Sequence, residues 1–255
     1  MAPVETVATI LSTFAYGETS KIARLATREL GVVSAIAKGA RRPKSKFGVA
    51  LQSLCGGQAT IYLARHSDLH TLASFDVTTV PEELARNIDR YASASVLGEL
   101  MIRFSPHERN VGLYDFFAHS LAVLVAVPDD AVPILGLRSI WGLVKQLGFA
   151  PTLTQCARDG VPVDWHQAAV AFSPPHGGVL CPSCSRGVES SQLTARDLED
   201  LEVMIHGRGD LPALDDRYLA AHRRLLERYV RYHLADGGDL PGFAFWLAQD
   251  WKTRR

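Results

Sequence analysis

From Val4 to Phe14 the chain alternates, with Val4, Thr6, Ala8 and Ile10 on one side and Glu5, Val7 and Thr9 on the other. That two-residue period predicts a half-buried strand. Tyr16-Gly17-Glu18-Thr19 turns the chain, and a second strand is expected from Ile22 to Leu30, although Lys21–Leu30 also fits helical spacing. Glu29-Leu30-Gly31 marks the next turn, and Val32 to Ala37 reads as a third strand. A polar loop, Lys38 to Phe47, follows, and the apolar segments Ala50 to Leu63 and Leu69 to Val77 complete the set. About five short strands with one long loop predict an OB-like barrel.

At Thr79-Val80-Pro81-Glu82-Glu83 the period changes to that of a helix start: a capping threonine, a proline near the first helical position and acids in the first turn. Helices are expected over roughly 82–104, 111–127, 131–148, 194–206, 214–235 and 240–252. The expected fold class is α+β: an OB-fold barrel over 1–80, then an all-helical domain over 81–255. Pro151 to Val188 lacks either periodicity and interrupts the helical part as an insertion at about 151–188. A loop of that length needs a local staple or a function.

Composition changes the picture at two points. Net charge over the 255 residues is zero, yet residues 1–80 hold nine Lys/Arg against five Asp/Glu and the remainder is acidic. A basic first third points to an anionic partner that the total conceals. The four cysteines do not make a disulfide framework, and Cys181-Pro182-Ser183-Cys184 reads as a metal or redox motif of a reducing compartment. With no basic n-region after Met1 and no apolar run of membrane-span length, the expected location is cytoplasmic, near the nucleoid.

Three clusters could carry chemistry. Lys38, Arg41, Arg42, Lys44 and Lys46 fall in one acid-free loop between barrel strands, where OB-folds meet nucleic acid. The alternative is a solvated loop; Phe14, Tyr16 and Phe47 are either base-stacking rings or core. Cys156, Cys181 and Cys184 make three-quarters of a structural zinc site, with Asp159, His176 or His166 as fourth ligand. The alternative is a loop without metal, held by Trp165, Phe172 and Leu180. In the helix Arg217–Leu234, which also carries Arg223, the residues Arg224, Arg228 and Arg231 share one face. That stripe reads as solvated surface, a second nucleic-acid patch or a socket for an acidic peptide. Neither His166-Gln167-Ala168 nor His107-Glu108-Arg109 matches the His-x-Glu of zinc deaminases, and no phosphate loop, His-Glu-x-x-His or Gly-x-Ser-x-Gly occurs. Catalysis is not expected.

The order of these features resembles the RecO family. Gly31-Val32-Val33-Ser34-Ala35-Ile36-Ala37-Lys38-Gly39-Ala40-Arg41-Arg42-Pro43-Lys44-Ser45 is similar to its N-terminal barrel, and Phe172-Ser173-Pro174 running to Cys181-Pro182-Ser183-Cys184 resembles its second knuckle. The resemblance implies a recombination mediator that binds single- and double-stranded DNA, anneals strands and helps load RecA on DNA coated by single-strand binding protein, with RecR as partner. It implies DNA contacts at Lys38, Arg41, Arg42, Lys44 and Lys46 and a zinc ion on Cys156, Cys181 and Cys184. Asp159 departs from the family's second cysteine, and Asp236 to Trp246 lacks the basic cluster expected after the last long helix. A zinc-dependent enzyme on nucleic acid and a protein-only adaptor are the competing readings.

Overall fold

In the computed structural model the described residues are 3–48, 50–106, 108–165, 169–213, 215–236 and 238–248. They open with β1 (Val4–Tyr16), β2 (Ser20–Thr27), β3 (Gly31–Ala37), β4 (Gly56–Tyr62) and β5 (Leu69–Thr79), which close into a barrel in the order β1-β2-β3-β5-β4. Closure is made by a short parallel pairing of Ser34, Ala35 and Ile36 with Leu69, His70 and Thr71. A register shift in β1 between Ile10 and Ser12 bends that long strand so that it pairs with β4 at one end and β2 at the other. The interior is filled by small side chains, Ala8, Ala23, Ala35, Ala37 and Ala59, around Ile10, Leu25, Ile61 and Leu72. A barrel this small has room for little more.

Two strand expectations change. Ala50 to Leu63 is not one strand: β4 begins at Gly56, and Ala50, Leu51 and Cys55 join Phe47 in plugging the barrel core. Their apolarity serves an end cap rather than a pleated face, and Leu54 takes a φ of 70°, which no strand residue adopts. β2 stops at Thr27, whose hydroxyl donates to the Gly31 carbonyl and accepts from the Leu30 N–H, turning the chain. The helical spacing in Lys21–Leu30 is overridden by two-sided pairing to β1 and β3.

The helix expected over 82–104 is two: α1 (Glu82–Ala85) and α2 (Ile88–Phe104). Asn87 breaks them because its extended backbone lets the side chain accept from the N–H groups of Asp89 and Arg90, an N-cap inside the expected span. α3 (Val111–Ala126) is tied to the barrel by Arg28, whose guanidinium donates to Asp115 at 2.7 and 2.9 Å. Met1–Ala126 forms one compact unit.

Val127–Arg255 forms the other. It contains α4 (Val132–Gln146), β6 (Val170–Ser173), a 3-10 turn at Pro174–His176, β7 (Gly178–Leu180), β8 (Ser191–Leu193), α5 (Ala195–His206), α6 (Asp216–His233) and α7 (Pro241–Leu247). The 151–188 segment is therefore not wholly irregular: β7, β6 and β8 make a three-stranded sheet whose middle strand is buried on both faces. Strands of three and four residues are too short to show a period in sequence. Trp141 of α4 and Phe172 of β6 both pack on Tyr229 of α6, centring this core. No helix of the described residues is long and apolar enough to cross a membrane.

Candidate nucleic-acid interface and metal-binding cluster

The loop after β3 leaves the barrel at Lys38 and is folded by its own turns, with Arg42 N–H donating to Gly39 and Ser45 N–H to Arg42. Arg41 locks it to the β1–β2 turn: its backbone N–H donates to Thr19 at 2.9 Å and its guanidinium to the Gly17 carbonyl at 3.0 Å. Gly17 sits at a φ of 57°, the left-handed conformation that this tight turn requires. Lys38, Arg41, Arg42, Lys44 and Lys46 are all exposed, so the loop presents five cations to solvent with no acid among them.

The three aromatic candidates separate cleanly. Phe47 is 2% exposed and belongs to the barrel core, with the Lys46 ammonium 5.4 Å from its ring centroid. Phe14 and Tyr16 are 50% and 48% exposed, at the end of β1 that runs into the turn held by Arg41. Sequence reasoning missed Arg24, which pairs with Ser12 and Ser34 and so shares the strand face of Phe14. Its position between Ala23 and Leu25 is the alternation that could have marked it.

The second cluster is built from two similar turns. In one, the Cys156 carbonyl accepts from Gly160 N–H at 2.9 Å; in the other, the Cys181 carbonyl accepts from Ser185 N–H at 3.0 Å. Asp159 and Cys184 therefore occupy matching places, each three residues after the first cysteine. The turns are brought together because Ala157 N–H donates to Val179 and Thr152 bonds both Gly177 and Val179, laying the first turn along β7. The three sulfurs and a carboxylate oxygen of Asp159 all lie within 4.8 Å of one another. Bond lengths of about 2.3 Å to sulfur and about 2.0 Å to oxygen give a tetrahedral zinc site with edges of about 3.5–3.8 Å, so the donor set fits such an ion.

Asp159 Oδ2 accepts from the thiols of Cys184 at 3.1 Å and Cys181 at 3.3 Å, and Oδ1 accepts from Val161 N–H at 3.1 Å. These bonds, that from Cys184 first, hold the carboxyl well below the usual carboxylate range. The Asp159 carboxylate in turn pushes the Cys184 thiol up to about 12. Cys181 shifts the other way, chiefly through the Ser183 hydroxyl 3.0 Å from its sulfur. Of the other fourth-ligand candidates, His176 is held by Ser173 at 3.0 Å and stands outside the donor group, and His166 lies outside the described residues.

On α6, Arg224 and Arg228 are exposed, Arg231 is paired with Glu227 one turn back, and Arg228 donates to Ser191 at 2.8 Å. Arg223 points the other way, 1% exposed, with its guanidinium 4.9 Å from the Trp246 ring centroid.

Two family models match the chain: Recombination protein O N terminal over residues 1–80 and Recombination protein O C terminal over residues 85–238. The chain belongs to the RecO family. It is 31% identical to the DNA repair protein RecO of Symbiobacterium thermophilum over 219 residues, 81% of this chain and 85% of the relative. It is also 31% identical to the RecO protein of Anaeromyxobacter dehalogenans strain 2CP-C over 244 residues, 92% of each chain. The RecO protein of Exiguobacterium sibiricum is 34% identical over 175 residues, 68% of this chain and 66% of the relative. RecO membership supports a role in DNA repair and recombination.

Proposed function

We propose that this RecO-family chain is a DNA-binding annealing protein and recombination mediator without turnover of its own. The observation that carries the reading is the acid-free loop 38–46, whose five cations are exposed and which Arg41 fixes to the turn that follows the exposed rings Phe14 and Tyr16. Lys38, Arg42, Lys44 and Lys46 would meet phosphates with little sequence preference, and Arg41 would both shape the loop and contribute charge. Phe14 and Tyr16 offer rings on which unpaired bases stack. Neutralising phosphates lowers the repulsion between complementary strands, which is the physical core of annealing. Family membership supports binding of single- and double-stranded DNA, and help in loading RecA on DNA coated by single-strand binding protein, with RecR as partner.

Cys156, Asp159, Cys181 and Cys184 would hold a zinc ion that joins the two turns. Three thiolates and a carboxylate make a four-donor set with no position left for substrate, which favours a structural ion over a catalytic one. The test is strand annealing and RecA loading measured with and without a single-strand binding protein. Acceleration on coated DNA supports the mediator reading; DNA binding without acceleration contradicts it. A chain that binds only protein would show no mobility shift with either DNA form.

A further inference from the structure

The exposed stripe of α6 is more basic than its composition suggests. Arg217, Ala221, Arg224 and Arg228 follow spacings of four, three and four, so they share one solvent face. Of the neighbouring acids, Glu227 is buried and bound by Arg231, Asp197 closes a capping box with Thr194 and Asp215 caps α6 through Tyr218 N–H, while Asp216 and Glu189 stand exposed near the two ends of the stripe. Among the described residues neither Arg217 nor Arg224 has a hydrogen-bond or ion-pair partner, and Arg228 meets only a neutral hydroxyl.

This face borders a cleft of about 750 Å³ between α6 and β8, floored by Leu193, Leu225 and Leu247. Beyond Arg228 it continues into a recess of about 240 Å³ under Pro175 and Tyr232. His222 lines the cleft wall with its Nδ1 buried and without a partner. Tyr218 and Tyr232 stand 52% and 55% exposed near the two ends of the stripe, which from Arg217 to Arg228 spans about 17 Å at 1.5 Å per residue.

We propose that this face holds a single strand of DNA, and that it is the seat of the second strand in annealing. The inference rests on the reading of the barrel loop as the seat of the first. Three exposed cations with an exposed ring near each end, beside an apolar cleft, suit a polymer that carries both phosphates and flat bases. A duplex would offer phosphates to the arginines but nothing to the cleft. A peptide of acidic residues alone would meet the arginines and leave both rings without a role.

The decisive variant is Arg217→Gln with Arg224→Gln in the full chain; both side chains are partnerless, so the fold is left intact. The expected result is affinity for one labelled oligonucleotide within twofold of the parent, annealing slowed at least tenfold, and no capture of a complementary-length second oligonucleotide by the preformed complex. Unchanged annealing overturns the proposal. So does a parallel loss of first-strand affinity, which would make the stripe part of a single site. Binding of a labelled acidic peptide that is lost in the variant while annealing is unchanged would assign the groove to a protein. Failure of the barrel-loop reading shows separately, as first-strand affinity insensitive to Arg42→Ala with Lys44→Ala.

Discussion

Asp159 stands where the matching turn has Cys184, and the exchange of sulfur for oxygen sets what the cluster can do. A carboxylate is a harder and less usual ligand in structural zinc sites than a thiolate. Asp159→Cys should therefore tighten zinc binding, and Asp159→Ala should weaken it by about tenfold or more, read by competition with a chromophoric chelator. Equal affinity in all three would remove Asp159 from the site. The sequence showed the three cysteines but left three candidates for the fourth place. Bringing Asp159 into one group with the cysteines depends on the strand contacts that lay Thr152–Ala157 along β7, a relation between distant residues that no spacing records. His222 gives a residue-level test in pH. Burial lowers its pKa, against a smaller raising effect of Asp197, so the folded protein keeps it neutral where the unfolded chain takes a proton. The unfolded state then binds more protons below about 6.5, and stability falls as pH drops from there toward the folded value. The thermal midpoint should decline over that window, and His222→Leu should flatten the decline; an unaltered profile would show the group contributes nothing.

At the scale of elements, the barrel strands were readable because one face of each is buried, while the plug and the small sheet were not. Ala50 and Leu51 look like strand residues but serve as an end cap, and β7 has only three residues. That short strand is nonetheless a tight joint. A Cβ at Gly178 would overlap the carbonyl oxygen of Thr152, so backbone must shift to admit any side chain. Gly178→Ala should destabilise the second unit by about 1–3 kcal/mol and loosen zinc retention together, since the same contact aligns Cys156 with Cys181. A chemical denaturation curve and a zinc release assay on one preparation check both. Loss of stability with retention unchanged would uncouple the joint from the cluster. The helix break at Asn87 was also missed, because an asparagine within a helical period gives no sign of capping until its backbone is seen to be extended.

For the whole molecule, the uneven charge was the most informative sequence feature and the zero total the least. Nine basic and five acidic side chains in the first eighty residues pointed to the barrel; the structure adds that the five loop cations are all exposed and that Arg41 ties their loop to the turn after two exposed rings. What sequence could not show is which charges are engaged internally, such as Arg28 on Asp115 and Arg231 on Glu227, and which remain for a partner. The proposed DNA binding therefore turns on the exposed cations of one loop. The most direct measurement is the affinity for single-stranded DNA against salt concentration, for the parent chain and for Arg42→Ala with Lys44→Ala. Removing one cation from a phosphate should flatten the logarithmic salt slope by about 0.7, so the double variant should show weaker binding across all sequences and a slope reduced by about 1.4. An unchanged affinity and an unchanged slope would contradict the assignment of DNA binding to this loop.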